Sequence, residues 1–240
     1  MIFLSSFMAA FAQSEVEKPE PVAEVTSANG NEESLEPGGT SGSLTALPVI
    51  VKLHANAEEV EGYSLVVVWT FTHEGEEVPY LTRYDDELTI ELQTTGTVVI
   101  QPQITYTSTT NSEIVIEYGP NTDEEPKDEE YIIEPFRITI AESSLKVPNA
   151  FSPNGDGVND DFKVYNAQSI VSFSATILNR WGQKLYSWNN VDDGWDGTYN
   201  GRPVKAGVYY VVVIAKGADG IEYEFRRDVN LLRGYTEGGE

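Results

Sequence analysis

Apolar and polar residues alternate with a period of two through most of the chain. Apolar residues do not recur at the three-and-four spacing of an amphipathic helix. Val49, Val51 and Leu53 alternate with Lys52 and His54. Leu65, Val67, Trp69 and Phe71 share a face opposite Ser64, Thr70 and Thr72, and Leu88, Ile90 and Leu92 alternate with Thr89 and Glu91. Val98, Ile100, Ile104 and Tyr106 form a longer run containing Pro102, which predicts an edge strand or a bulge there. Ile114 and Ile116 follow, then Ile132, Phe136, Ile138 and Ile140. A period of two places successive side chains on opposite faces of a strand, so the fold class is all-β, with antiparallel β-sandwiches.

The same pattern returns further on. Val171, Phe173, Ala175 and Ile177 alternate with Ser172, Ser174 and Thr176, and Asn179 to Gly182 turns this strand into Leu185-Tyr186. Val208 to Ala215 is continuously apolar and reads as a central strand. Lys216-Gly217-Ala218-Asp219-Gly220 is a hairpin turn, after which Tyr223 and Phe225 alternate with Glu222 and Glu224.

Charge divides the chain. The 240 residues hold 15 basic and 39 acidic side chains, for a net charge of −24. Met1 to Ser144 holds 5 basic and 27 acidic, while Leu145 to Glu240 holds 10 and 12. Such a step predicts two modules meeting near Leu145. The acidic balance disfavours nucleic acid as a partner, because that partner needs a positive surface. Cysteine is absent, which removes disulfides, thiolate zinc sites and thiol nucleophiles. Residues 1–13 are apolar and end near Ala10-Phe11-Ala12, so they read as a signal peptide with a small-residue cleavage site. Residues 14–45 are rich in Glu, Pro, Ser and Gly and read as a disordered acidic linker. Residues 46–144 and 145–240 are the two expected sandwiches.

The second sandwich carries motifs in a fixed order. Val147-Pro148-Asn149-Ala150-Phe151-Ser152-Pro153-Asn154-Gly155-Asp156-Gly157-Val158-Asn159-Asp160 opens it. Asn179-Arg180-Trp181-Gly182, Trp195-Asp196-Gly197, Gly201-Arg202-Pro203-Val204, Gly207-Val208-Tyr209 and Leu231-Leu232-Arg233 follow. Together these resemble the gliding-motility-associated C-terminal domain, the type B sorting domain of type IX secretion in the Bacteroidota. The resemblance rests on Pro148, Asn149, Phe151, Pro153, Asn154, Gly155, Asp156, Gly157, Asn159, Asp160, Asn179, Arg180, Trp181, Gly182, Trp195, Asp196, Gly197, Gly207 and Tyr209. It implies a cargo that crosses the inner membrane by its N-terminal signal. The folded C-terminal domain would then be recognised by the translocon and other outer-membrane components, and the product released or displayed on the cell surface. It implies a targeting device and not an enzyme.

The first sandwich resembles the immunoglobulin-like PKD domains. The supporting residues are Tyr63, Trp69 and Thr95-Gly96-Thr97-Val98, while Trp69-Thr70-Phe71-Thr72-His73-Glu74-Gly75 replaces the usual glycine- and aspartate-rich turn. The fold that both resemblances imply is two immunoglobulin-like sandwiches in tandem.

Four groups of residues bear on chemistry. Asn154, Asp156, Asn159 and Asp160 place hard oxygen donors on a glycine-rich turn, the donor type that calcium takes. Ser152 and Lys163 stand where an EF-hand-like loop would carry acids, and the other reading is a turn closed by Asn-Gly and Asp-Gly with capping carboxylates. Trp181, Trp188 and Trp195 offer aromatic faces for a sugar ring, or else core aromatics. Arg180, Lys184, Arg202, Lys205, Arg226, Arg227 and Arg233 offer a docking surface for the translocon or an anionic partner, or ordinary solubilising charge. His54 and His73 read as surface histidines, and Asp85-Asp86-Glu87 as a solvated acidic run. No Gly-x-Ser-x-Gly elbow, P-loop or dinucleotide fingerprint is present.

The expected function is that of an exported, non-enzymatic cell-surface or secreted protein. Its C-terminal domain directs type IX secretion, with a PKD-like passenger as spacer or binding module. The alternative is a calcium- or glycan-dependent adhesin with specificity in the first sandwich's loops, such as 74–83 or 119–130, toward a glycan or protein ligand.

Overall fold

The computed structural model describes residues 16–121 and 128–233. The chain divides into two compact units, Met1–Ile140 and Ala141–Glu240, and each has its own apolar core. Among the described residues the only helical element is a single 3-10 turn at Glu129–Tyr131, so the all-β expectation holds. The expected signal peptide, residues 1–13, lies outside the described residues.

The first unit begins with β1 (Val22–Ser27) and β2 (Glu32–Leu35), followed by β3 (Val49–His54), β4 (Tyr63–His73) and β5 (Leu81–Arg83). It continues through β6 (Glu87–Leu92), β7 (Gly96–Ser108), β8 (Val115–Tyr118) and β9 (Phe136–Ile140). One sheet has the order β2-β1-β3-β6, and the other runs β5-β4-β7-β8 with β9 also on β7. Every ladder between these strands is antiparallel. Ala23, Val25, Val51 and Leu53 from the first sheet share one core with Trp69, Phe71, Ile100, Tyr106 and Phe136 from the second. Such a pair of sheets closed over a common core is a β-sandwich, consistent with a PKD-like, immunoglobulin-like domain.

Two expectations are corrected here. Residues 14–45 do not form a disordered linker throughout. Val22–Ser27 pairs with β3 over six residues, and its Ala23 and Val25 are buried. Asn29-Gly30 closes the hairpin to β2, with Gly30 at φ +84° and its N–H on the Ser27 carbonyl at 2.9 Å. Further along, the amides of Ser41 and Leu44 donate to the carbonyls of Arg137 and Thr139, and Leu44 is buried. Glu24 in β1 and Glu32 in β2 are exposed while Ala23, Val25 and Leu35 are buried, so average polarity hid a period-two strand.

Pro102 is likewise not on an edge strand. It lies in β7, which has β4 along one side. On the other side β9 covers Gly96–Ile100 and β8 covers Ile104–Thr107. Pro102 falls in the gap between those two partners, where a strand can lack an N–H without breaking a ladder.

The second unit contains β10 (Ser144–Lys146), β11 (Ala150–Phe151), β12 (Tyr165–Gln168), β13 (Ile170–Leu178) and β14 (Lys184–Trp188). After these come β15 (Thr198–Tyr199), β16 (Arg202–Pro203), β17 (Gly207–Gly217) and β18 (Glu222–Leu231). Its main sheet has the order β11-β18-β17-β13-β14, with β11 parallel to β18, and two-stranded sheets β10-β12 and β15-β16 complete it. The expected central strand is β17. Val211, Val213 and Ala215 face the core, while Val208, Tyr210 and Ile214 face outward and are about half exposed. Val171 departs from its expected face. A register shift between Ile170 and Ser172 turns it outward and packs Ile170 inward instead.

Candidate functional site

The motif residues of the second unit separate into a core set and a turn set. Phe151 and Trp195 are buried and pack with their ring centroids 5.4 Å apart. Tyr209 lies edge-on to Trp195 at 5.2 Å, and Phe162 contacts Phe151 and Trp188. The backbones of Phe162 and Trp195 exchange hydrogen bonds at 2.8 and 3.0 Å, and the Trp195 indole N–H reaches the Thr198 carbonyl at 2.7 Å. An indole held by its own N–H can be buried without leaving a polar group unpaired. Trp188 is 7% exposed and Trp195 fully enclosed, whereas Trp181 is 80% exposed. The three tryptophans therefore do not form a joint sugar platform, since two of them are core.

The loop at 154–160 is closed by Asp160. Its Oδ1 accepts the backbone N–H groups of Asn154 at 2.9 Å and Gly155 at 2.7 Å, and its Oδ2 accepts that of Gly157 at 2.8 Å. These bonds, led by those from Gly155 and Gly157, hold its carboxyl below the usual carboxylate range. Asp156 accepts from Val158 N–H and from the Asn154 side chain, and Asn154 accepts from Asp156 N–H. Asn159 sits at φ +52° and accepts the Ser152 N–H through its carbonyl. The four residues expected as calcium donors thus stand in one loop, with the carboxylates of Asp156 and Asp160 engaged with the loop's own N–H groups. Among the described residues no group of three or more His, Asp or Glu is placed to hold a metal ion.

Arg233 ties this loop to two others. Its Nη1 donates to Pro153 O at 3.3 Å, its Nη2 to Gly197 O at 3.2 Å and its Nε to Val204 O at 3.2 Å. Gly197 has φ +76°, and a Cβ there would come within 3.1 Å of Leu231 Cδ1 and Pro153 Cγ. Asp196 holds the same turn by accepting from Thr198 N–H and its hydroxyl. In the sequence Arg233 closes the last motif, Leu231-Leu232-Arg233, and counts among the basic residues, but nothing there marks it as a clamp. Its spacing from three glycine- and proline-rich turns carried no local signal.

Two of the basic residues are engaged within the unit. Arg227 donates to Val147 O at 2.6 Å, tying β18 to the opening segment, and Arg226 is paired with Glu224. Pro148 is half-buried beside this anchor, and the carbonyl of Asn149 accepts from the Asn230 backbone at 2.8 Å.

Arg180 has its guanidinium 5.1 Å from the centre of the exposed Trp181 ring. The turn beneath is fixed by Asn179, which accepts from the N–H groups of Trp181 and Gln183, and by Gly182 at φ +79°. Gly207 opens β17 at φ +146°. The Tyr209 hydroxyl donates to Lys205 O at 2.7 Å and is raised in pKa by burial, with Arg233 and Arg180 opposing that rise.

In the first unit, His54 faces outward beside Glu87 at 3.5 Å, and His73 stacks on Tyr80 at 4.6 Å. No nucleophile is paired with either among the described hydrogen bonds.

Residues 145–224 match the family model described as the CHU_C Type IX secretion signal domain. No curated protein matches the chain. Among solved structures, it is similar to the major pilin subunit of Bacillus cereus at 9% identity and a TM-score of 0.28, covering 89% of this chain and 67% of that one. It is also similar to a tetra-tandem repeat in the extending region of a large adhesion protein, at 11% identity and a TM-score of 0.27, covering 90% and 68%. At these scores neither likeness identifies a family. The second unit of this chain carries a CHU_C type IX secretion signal domain.

Proposed function

We propose that the protein is a type IX cargo whose second unit is the address read by the translocon and other outer-membrane components. The first unit is then the passenger, a non-enzymatic spacer or binding module on the cell surface or in the medium. The observation that carries this reading is the coincidence of two independent boundaries. The family match begins at Leu145, just inside the compact unit that starts at Ala141. A targeting signal that folds around its own core can be read without help from its cargo.

The test is deletion of residues 145–240 in the native host. The remainder is expected to accumulate inside the outer membrane. Its arrival on the surface or in the medium at the full-length level would overturn the assignment.

A second reading, an adhesive passenger, is favoured by one observation. The segment between β4 and β6 displays Val78 at 75% and Tyr84 at 71% exposure. Exposed apolar side chains on a loop suit contact with a glycan or protein ligand. Binding of the isolated first unit to matrix or glycan surfaces, lost on V78S and Y84S, would support it, and equal binding by that variant would remove it.

A further inference from the structure

We propose that the turn bearing Trp181 forms a binding site for an anionic saccharide, separate from the role of the second unit as a secretion address. Trp181 is the one exposed tryptophan of the four, since Trp69 and Trp195 are fully enclosed and Trp188 nearly so. Indoles are usually well buried, so one left 80% in solvent costs water-exposed apolar area unless something covers it.

The turn that carries the ring is held in place. Arg180 lies against it, and both Asn179 contacts to the turn's N–H groups fix the backbone beneath. Gln183 donates to the Tyr199 hydroxyl at 3.2 Å and accepts from the Asn179 amide at 2.9 Å, which anchors the turn to its neighbour. A flat, exposed aromatic face on a held turn, beside amide and hydroxyl groups, suits the apolar face and hydroxyls of a pyranose.

Beside the ring lies a depression of about 270 Å³ lined by Arg180, Gln183, Tyr199, Lys205 and Tyr209 among others. No Asp or Glu lines it. In a chain of net charge −24, a depression with two cations and no carboxylate selects for a negatively charged ligand. Charges elsewhere on the chain are screened over about 8 Å at physiological salt, so the local sign decides. The volume takes one or two sugar rings. The ligand is therefore a saccharide bearing a carboxylate, sulfate or phosphate, with a ring face on Trp181 and the anion between Arg180 and Lys205.

The experiment is a titration of the full chain, followed by tryptophan emission, with uronate-, sulfate- and phosphate-bearing oligosaccharides and their neutral counterparts. At least one acidic oligosaccharide is expected to give a saturable change, with the neutral counterpart at least about tenfold weaker. W181A should abolish the response with an unchanged melting temperature, and W181Y should retain part of the affinity when it is read by calorimetry. R180Q and K205Q should each weaken binding at least about threefold. No saturable response to any acidic saccharide, equal binding of the neutral ones, or undiminished calorimetric affinity in W181A would each overturn the site. Binding of an acidic peptide at these residues with no saccharide binding would do so as well.

Discussion

Arg233 Nη2 donates to the carbonyl oxygen of Gly197 at 3.2 Å, and the same guanidinium reaches the carbonyls of Pro153 and Val204. One side chain just past the last strand therefore holds three motif loops together. R233A leaves three carbonyls without this partner and should lower the stability of the second unit by about 2–3 kcal/mol, since hydrogen bonds to charged groups are stronger than neutral ones. R233K keeps the charge but not the planar fork and should recover only part of that loss. Denaturant melts of the isolated second unit check both.

Gly197 and Gly155 both occupy positive φ, at +76° and +81°. They differ in what surrounds them. A Cβ at Gly197 would meet Leu231 and Pro153 at 3.1 Å, while nothing stands within 4 Å of one at Gly155. G155A should cost about 1 kcal/mol, the backbone penalty alone. G197A should cost about 2–3 kcal/mol, because crowding adds to the same penalty. Equal losses by chemical denaturation would contradict the packing described for Gly197.

The Asp160 carboxyl is held below its ordinary value by N–H groups of its own loop. A depressed folded-state value makes the ionised form stabilising above the ordinary carboxylate range near about 4. That stability is lost as the pH falls through the lowered value. D160N should therefore destabilise the second unit at neutral pH and make its melting temperature less dependent on pH across the acid limb. With both oxygens already accepting N–H bonds, calcium and chelator should give the same melting temperature.

Strands β1 and β2 make the N-terminal segment part of the first sandwich. Removing residues 16–35 would uncover β3 and withdraw Ala23, Val25 and Leu35 from the core. Each buried valine contributes about 1.5–3 kcal/mol, so the shortened first unit should melt much lower or fail to fold. A flexible linker would allow the same deletion with no change in melting temperature.

The strands were legible wherever one face alternated cleanly, as in Val49–Leu53 and Val67–Phe71. They were hidden where composition masked the period, as in Val22–Ser27, or where a bulge shifted it, as at Val171. The motif order of the second unit was legible because Trp195, Gly197 and Asp160 do distinct local jobs at short spacing. The arginine clamp was not, because Arg233 meets residues 29 to 80 positions away in the chain. The three tryptophans looked alike in sequence, and only the packing of Phe162 and Phe151 around two of them separated core from surface.

The most direct test of the central claim is to fuse residues 141–240 behind a folded reporter that already carries its own inner-membrane signal, and to locate the reporter in the native host. Reporter outside the outer membrane, in an amount that falls sharply with R233A, is the predicted result. Reporter retained between the two membranes, with a correctly folded second unit, would contradict the account.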